Sequence, residues 1–244
     1  MKCRLCQQQS ELCESHIIPE FLYKFIYSEK KHRFIQLTGF ATPRKWQKGF
    51  KEKLLCRNCE EKLNKWESYA ARVLFGGANI SLHKMSDAII ARDIDYNKFK
   101  LFQLSIIWRA GISNLPQFSK VKLGPHEEKL REMIKNDDPG LPNVYGCLMI
   151  LTPAYHEVTS KMMMIAQASR FDNHRCYVFL MAGMTWVFFV SSHAQQLTYG
   201  SKLFLNREGV LPILIENKAS KDFFEKTFAE WNKSGLVEEV LKKV

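Results

Sequence analysis

An α+β fold is predicted from three features: a cysteine-rich basic N-terminal quarter, two helical periodicities after it, and a run of Val-, Phe-, Tyr- and Met-rich strand-like segments beyond residue 146. With 244 residues, 46% of them hydrophobic, the chain can bury a full core. It divides by composition into a module at 1–78 and a body at 79–244.

The module is defined by two identical Cys-x-x-Cys pairs, Cys3/Cys6 and Cys56/Cys59. Two thiolates two residues apart grip one ion from a tight turn, and a second pair completes a tetrahedral set of four sulfurs, which suits zinc. A rival set, Cys3/Cys6/Cys13/His16, would leave Cys56 and Cys59 without partners. Four of the seven cysteines in this spacing point to metal and a reducing compartment rather than disulfides, and Cys147 and Cys176 read as core thiols.

Glu20 to Ile26 is apolar and aromatic, a short helix or a strand. Lys30 to Lys53 reads as a basic loop or ribbon with interleaved aromatics, broken by turn pairs at Thr38-Gly39 and Thr42-Pro43. A helix is expected from Cys59, with Glu60 and Glu61 in its first turn, Leu63, Trp66, Ala70 and Leu74 along one face, and Gly76-Gly77 as its stop. A metal knuckle whose second pair opens a helix is a treble clef.

Tyr96 to Ile112 predicts a central buried helix, because its apolar residues wrap most of the circumference. Pro125 to Asn136 predicts a short charged helix, and 137–142 a loop. Gly146–Leu151, Lys161–Ala168, Cys176–Ala182 and Thr185–Ser191 predict an antiparallel meander, with turns at Asp172-Asn173 and Ala182-Gly183. Val210–Ile215 suggests a further strand, and Ser220–Lys233 an amphipathic closing helix. Met162, Met163 and Met164, like Trp108 and Trp186, read as core filling.

No apolar leader opens the chain. The uncharged stretch from Cys176 to Val190 is shorter than the roughly 20 residues a spanning helix needs, and a buried β-hairpin explains it. A soluble, cytoplasmic protein is expected. The net charge is +11, of which residues 1–75, with 15 Lys+Arg against 8 Asp+Glu, carry +7. Such a surface fits a phosphate backbone, although a solvated basic face would give the same surplus.

His16 sits between the knuckles, in Ser15-His16-Ile17-Ile18-Pro19. If one zinc joins the two pairs, the strand carrying His16 can lie against the helix opening at the second pair. Glu60 and Asn64, four apart, share one face of that helix. Imidazole, carboxylate and amide would converge on a pocket. A divalent ion held there by oxygen ligands would stabilise a leaving 3′ oxygen, while the imidazole takes a proton from the attacking water.

This order, Cys-x-x-Cys, His-Ile-Ile-Pro, then Leu54-Leu55-Cys56-x-x-Cys59 opening a helix, resembles the zinc-knuckled branch of the HNH (ββα-metal) endonuclease superfamily over residues 1–75. The resemblance implies His16 as general base, Glu60 and Asn64 at the positions that hold the catalytic ion (Mg2+, Mn2+ or Ni2+), and Cys3, Cys6, Cys56 and Cys59 on structural zinc. It implies a phosphodiesterase acting on nucleic acid, DNA before RNA. The chain departs from the pattern where Ser15 stands in place of a metal-binding His or Asp, and in having no Asn between residues 17 and 55 to orient the base; a backbone carbonyl, Gln36 or Gln47 are the substitutes available. The alternative is a catalytically degenerate, zinc-stabilised module that binds nucleic acid or protein. No membrane partner is expected, and the body at 79–244 could serve recognition, sensing or dimerisation.

Overall fold

The central element is a helix almost without a solvent face. The structure, a computed structural model, describes residues 1–23, 34–37, 44–46, 49–153, 162–171, 174–190 and 201–215. Within it α2 (Tyr96–Ile112) has 14 of its 17 residues buried, as its all-round apolar sequence requires. Asp95 caps it by accepting a hydrogen bond from the Lys98 N–H at 3.0 Å. On one side α2 packs against α1 (Arg57–Phe75), on another against α3 (His126–Lys135). Phe102 on α2 meets Trp186 of the sheet edge-on, with ring centroids 6.2 Å apart.

Among the described residues, two sheets accompany the helices. The smaller pairs β1 (Cys13–His16) antiparallel with β4 (Lys51–Leu55), placing His16 opposite Lys51. The larger has, among the described residues, nine strands in the order β3-β2-β8-β9-β10-β7-β11-β6-β5. These are β2 (Phe34–Leu37), β3 (Arg44–Trp46), β5 (Ser81–Lys84), β6 (Ala88–Arg92), β7 (Cys147–Leu151), β8 (Met162–Phe171), β9 (His174–Met181), β10 (Met184–Phe189) and β11 (Leu211–Ile215). Pairing is antiparallel except where β2 joins β8 and β11 joins β7. The expected meander is β8-β9-β10, with β7 beside β10.

The uncharged stretch 176–190 is the β9–β10 hairpin, turning at Ala182 and Gly183, both with positive φ (52° and 72°). The strand predicted at Val210–Ile215 is β11; its Pro212 precedes the first residue paired to β7, where a missing N–H costs no ladder bond. The β5–β6 hairpin was not expected, since every residue of β5 is exposed and shows no apolar alternation. Among the described residues, no helix is long and apolar enough to cross a membrane. The helix predicted at 220–233 and the turn at Asp172-Asn173 lie outside the described residues.

Residues of both segments, 1–78 and 79–244, enter one apolar cluster that reaches from Cys3 through Trp66 and Trp108 to Trp186 and Leu211. Cys147 and Cys176 are buried thiols whose pKa burial pushes up, to about 12 for Cys176. Met163, Trp108 and Trp186 are fully buried. Gly111, near the end of α2, lies against buried Leu123: a Cβ there would come within 2.1 Å of Leu123 Cδ1 and 2.5 Å of its Cγ. Gly111→Ala should therefore lower stability by about 1–2 kcal/mol in denaturant melts, overpacking outweighing a helix-propensity gain of about 1 kcal/mol. A stabilised variant would show that α2 and the Leu123 segment are not packed this closely.

Candidate metal centre and the adjoining cleft

The chain enters through a tight turn, Gln7 N–H bonding the Cys3 carbonyl at 3.0 Å, so that the two sulfurs of Cys3 and Cys6 face one point. Arg4 N–H bonds the Leu54 carbonyl at 2.9 Å, which lays this turn beside the end of β4. Cys56 then caps α1, and Cys59 falls in its first turn. The helix thus begins two residues before the expected Cys59, because the knuckle turn is itself helical. The sulfurs of Cys3, Cys6, Cys56 and Cys59 lie within 4.8 Å of one another and could hold a metal ion. This is the set chosen from spacing; Cys13 stays in β1, opposite Leu55.

The electrostatics of the four sulfurs match that role. Burial disfavours the Cys3 thiolate, but the N–H groups of Cys56, Cys6 and Leu5 outweigh it and lower the thiol to about 7. The Cys56 N–H reaches Cys3 Sγ at 3.3 Å. Cys59 goes the other way: burial first, then the neighbouring Cys56 and Cys3 sulfurs, push its pKa far up. Four thiolates side by side repel, and a cation among them removes that repulsion.

Next to the sulfurs, Ser15 through Pro19 make a sharp passage from strand to turn. Ser15, Ile17 and Ile18 are fully buried, and Ile17 N–H bonds the Phe50 carbonyl at 2.9 Å. Pro19 opens a 3-10 turn, Glu20–Tyr23, the only helical part of the expected apolar segment 20–26 that falls within the described residues. This turn brings Glu20 back over His16, Oε2 lying 2.6 Å from Nε2. The contact is in ion-pair range but off the line of an N–H···O bond. Gly49 closes it from the third side: a Cβ there would meet Glu20 Oε2 at 3.0 Å and the His16 ring at 3.1 Å, so no other residue fits without displacing them.

His16, Glu20, Glu60, Asn64 and Glu67 line one cleft of about 440 Å3. The structure thus brings together all three residues predicted for chemistry, His16 from the end of β1 and Glu60 and Asn64 from successive turns of α1. Asn64 is exposed there, and Glu60 is half-buried. Ser15 plays a different part from a metal ligand: its buried hydroxyl accepts from Leu55 N–H at 3.2 Å and donates to Glu60 Oε1, tying β4 to the carboxylate. Among the described residues, the imidazole and carboxylates of this cleft do not gather as tightly as the four sulfurs do. A larger groove, of about 1070 Å3, runs between the end of α1 and the start of α2, but no His or Cys lines it.

Glu20, Gly49, Glu67 and Arg109 escaped the sequence reading. Two left usable signals. Glu67 is seven residues beyond Glu60, two turns along the same helix face, and Arg109 is the lone charge in the run from Leu101 to Ile112. Gln36 and Gln47, candidates for orienting the base, have side chains outside the described residues.

Comparison with known proteins finds no family model, no curated protein and no solved structure that matches this chain.

His16 has its pKa lowered from the usual 6.5: burial lowers it most, Glu20 raises it, and Lys51 and Arg109 lower it further. The imidazole is accordingly neutral at pH 7, and protonating it costs folding free energy. Stability contributed by this group is present above pH 6.5 and is lost as pH falls through its folded value. Glu20→Gln should move the His16 midpoint further down in an NMR titration, since the one raising influence goes. A midpoint that rises would show that Glu20 does not act on the ring.

Proposed function

We propose that this chain is a metal-dependent endonuclease of HNH type that hydrolyses phosphodiester bonds of nucleic acid, DNA before RNA, with Cys3, Cys6, Cys56 and Cys59 on a structural zinc in a treble-clef arrangement. The observation that carries the reading is the shared cleft: His16, Glu60 and Asn64, separated by up to 48 residues in the chain, line one cavity beside the four sulfurs. The antiparallel pair β1–β4 followed by α1, with β2 and β3 of the larger sheet inserted between its strands, has the imidazole at the end of its first strand and the ligand candidates on the helix, which supports the ββα arrangement that the resemblance implies.

The donor set fits zinc. An ion bonded tetrahedrally to sulfur at about 2.3 Å separates its ligand sulfurs by about 3.8 Å. The sulfurs of Cys6 and Cys56 are 3.8 Å apart. The N–H donated to Cys3 Sγ is the kind of outer bond that steadies a thiolate ligand.

In the cleft, Glu60 with Asn64 would hold the catalytic divalent ion, a Lewis acid that stabilises charge on the phosphate and on the leaving oxygen. Glu20 Oε2, 2.6 Å from His16 Nε2, would take the orienting part for which residues 17–55 offer no Asn. That leaves Nδ1 to accept the proton of the attacking water, and the depressed pKa keeps it unprotonated at neutral pH. The four glutamates on the cleft wall, Glu20, Glu60, Glu61 and Glu67, suit a cation and would repel a phosphate in its absence.

One observation favours the degenerate alternative. Ser15 occupies Glu60 Oε1 and supplies no strong ligand of its own, so a binding module without cleavage would keep the same contacts.

The test is cleavage of supercoiled plasmid, linear duplex and single-stranded RNA in Mg2+, Mn2+ and Ni2+. Wild type should cut, and His16→Ala should lose about 10²–10⁴-fold in rate with its bound zinc unchanged. Binding without cleavage by either protein would instead establish the degenerate reading. Cys56→Ser should cost the protein its zinc and unfold the N-terminal segment, read by metal analysis and limited proteolysis; a fully folded variant would remove zinc from the account.

A further inference from the structure

Arg109 is a charged side chain with almost no access to water, 1% exposed on the central helix. Each arm of its guanidinium has a destination. Nε donates to the Ser105 carbonyl at 3.2 Å and Nη2 to Ser105 Oγ at 3.2 Å, which fixes the guanidinium plane on its own helix. Nη2 also lies 2.7 Å from Glu67 Oε1, on the wall of the cleft. The remaining arm, Nη1, donates at 2.7 Å to the carbonyl of His16.

We propose that Arg109 is a positioning residue for His16, its guanidinium holding the end of β1 by the His16 carbonyl while clamping Glu67 of α1 against the cleft. Its kinetic consequence rests on the nuclease reading above; its geometric content does not.

Three arguments carry it beyond a buried ion pair. Glu67 alone would be satisfied by any cation within reach, but the bond to His16 lands on the residue that bears the imidazole, where β1 ends and the chain turns at Pro19. The plane of the guanidinium is set by Ser105 independently of Glu67, so the bond to His16 is aimed rather than incidental. A guanidinium serves these three destinations from one rigid plane, whereas the three donors of a lysine radiate from a single nitrogen and cannot span them in that geometry. The body of the fold thereby reaches into the N-terminal module at the one residue whose orientation the chemistry needs.

The experiment records the imidazole nitrogen signals of His16 in 15N-labelled full-length protein, assigned by their loss in His16→Ala, alongside metal content and thermal melts. Arg109→Lys keeps a cation for Glu67 and the fold with it. A double variant, Glu67→Gln with Arg109→Gln, removes both buried charges together and leaves no unpaired ion. In both, the ring signals should shift and broaden with zinc retained, and wherever the wild type cleaves, kcat should fall roughly ten- to a hundredfold at unchanged KM. Glu67→Gln alone leaves Arg109 without its counter-ion and should lower the melting temperature, but it keeps Arg109 on the His16 carbonyl, so the folded variant should keep wild-type ring signals. Wild-type ring signals in folded Arg109→Lys, or a shift in Glu67→Gln as large as in the double variant, would overturn the proposal. If the wild type cuts nothing, the nuclease reading fails while the ring signals still decide the role of Arg109.

Discussion

Four sulfur atoms, brought within 4.8 Å from turns some fifty residues apart, are the constraint on which the rest of the N-terminal architecture depends. They could hold one metal ion: N–H donors favour ionisation of Cys3, burial and the neighbouring sulfurs oppose that of Cys59, and a cation among them would offset that opposition. The first turn of the chain meets the start of α1 through Arg4 N–H on the Leu54 carbonyl and Cys56 N–H on Cys3 Sγ, with the β1–β4 pair at the same corner, and an ion on the four sulfurs would lock this arrangement. Such an ion would also fix the start of α1 in rotation, on the side from which Glu60, Asn64 and Glu67 line the cleft with His16.

A second constraint comes from charge in a dry setting. Arg109 and Glu67 meet where water is scarce, and burial raises the carboxyl while the guanidinium lowers it. Such a pair adds little net stability, since desolvation offsets most of its attraction, but breaking one member alone is expensive. It therefore specifies geometry more than it contributes free energy. Here it fixes how α1 and α2 sit at the cleft, complementing the apolar contacts between the same helices, which are less directional.

Much of this was legible in the residues. Cys-x-x-Cys spacing pointed to the four sulfurs that come together because ligand geometry is local and leaves few ways to pair them. The helix Tyr96–Ile112 and the hairpin 176–190 were legible from unbroken apolar runs, which have no other place to go than a core. His16, Glu60 and Asn64 could be placed together because a helix start and a strand end were both anchored to the knuckle. What escaped depends on distance in the chain. Arg109 bonds a carbonyl ninety-three residues away, and no local pattern records such a partner. Glu20 looked like one more polar residue until Pro19 turned it back over His16, and Gly49 shows its purpose only through the atoms it leaves room for. The edge strand β5, wholly exposed, has no periodicity to read.

The most direct test of the central claim is X-ray absorption at the zinc edge of the protein as purified. The account predicts one zinc per chain in a shell of four sulfurs at about 2.3 Å. A shell containing nitrogen or oxygen, or a folded protein with no bound metal, would contradict it, and the rotation of α1 that turns Glu60 and Asn64 toward His16 would then need another cause.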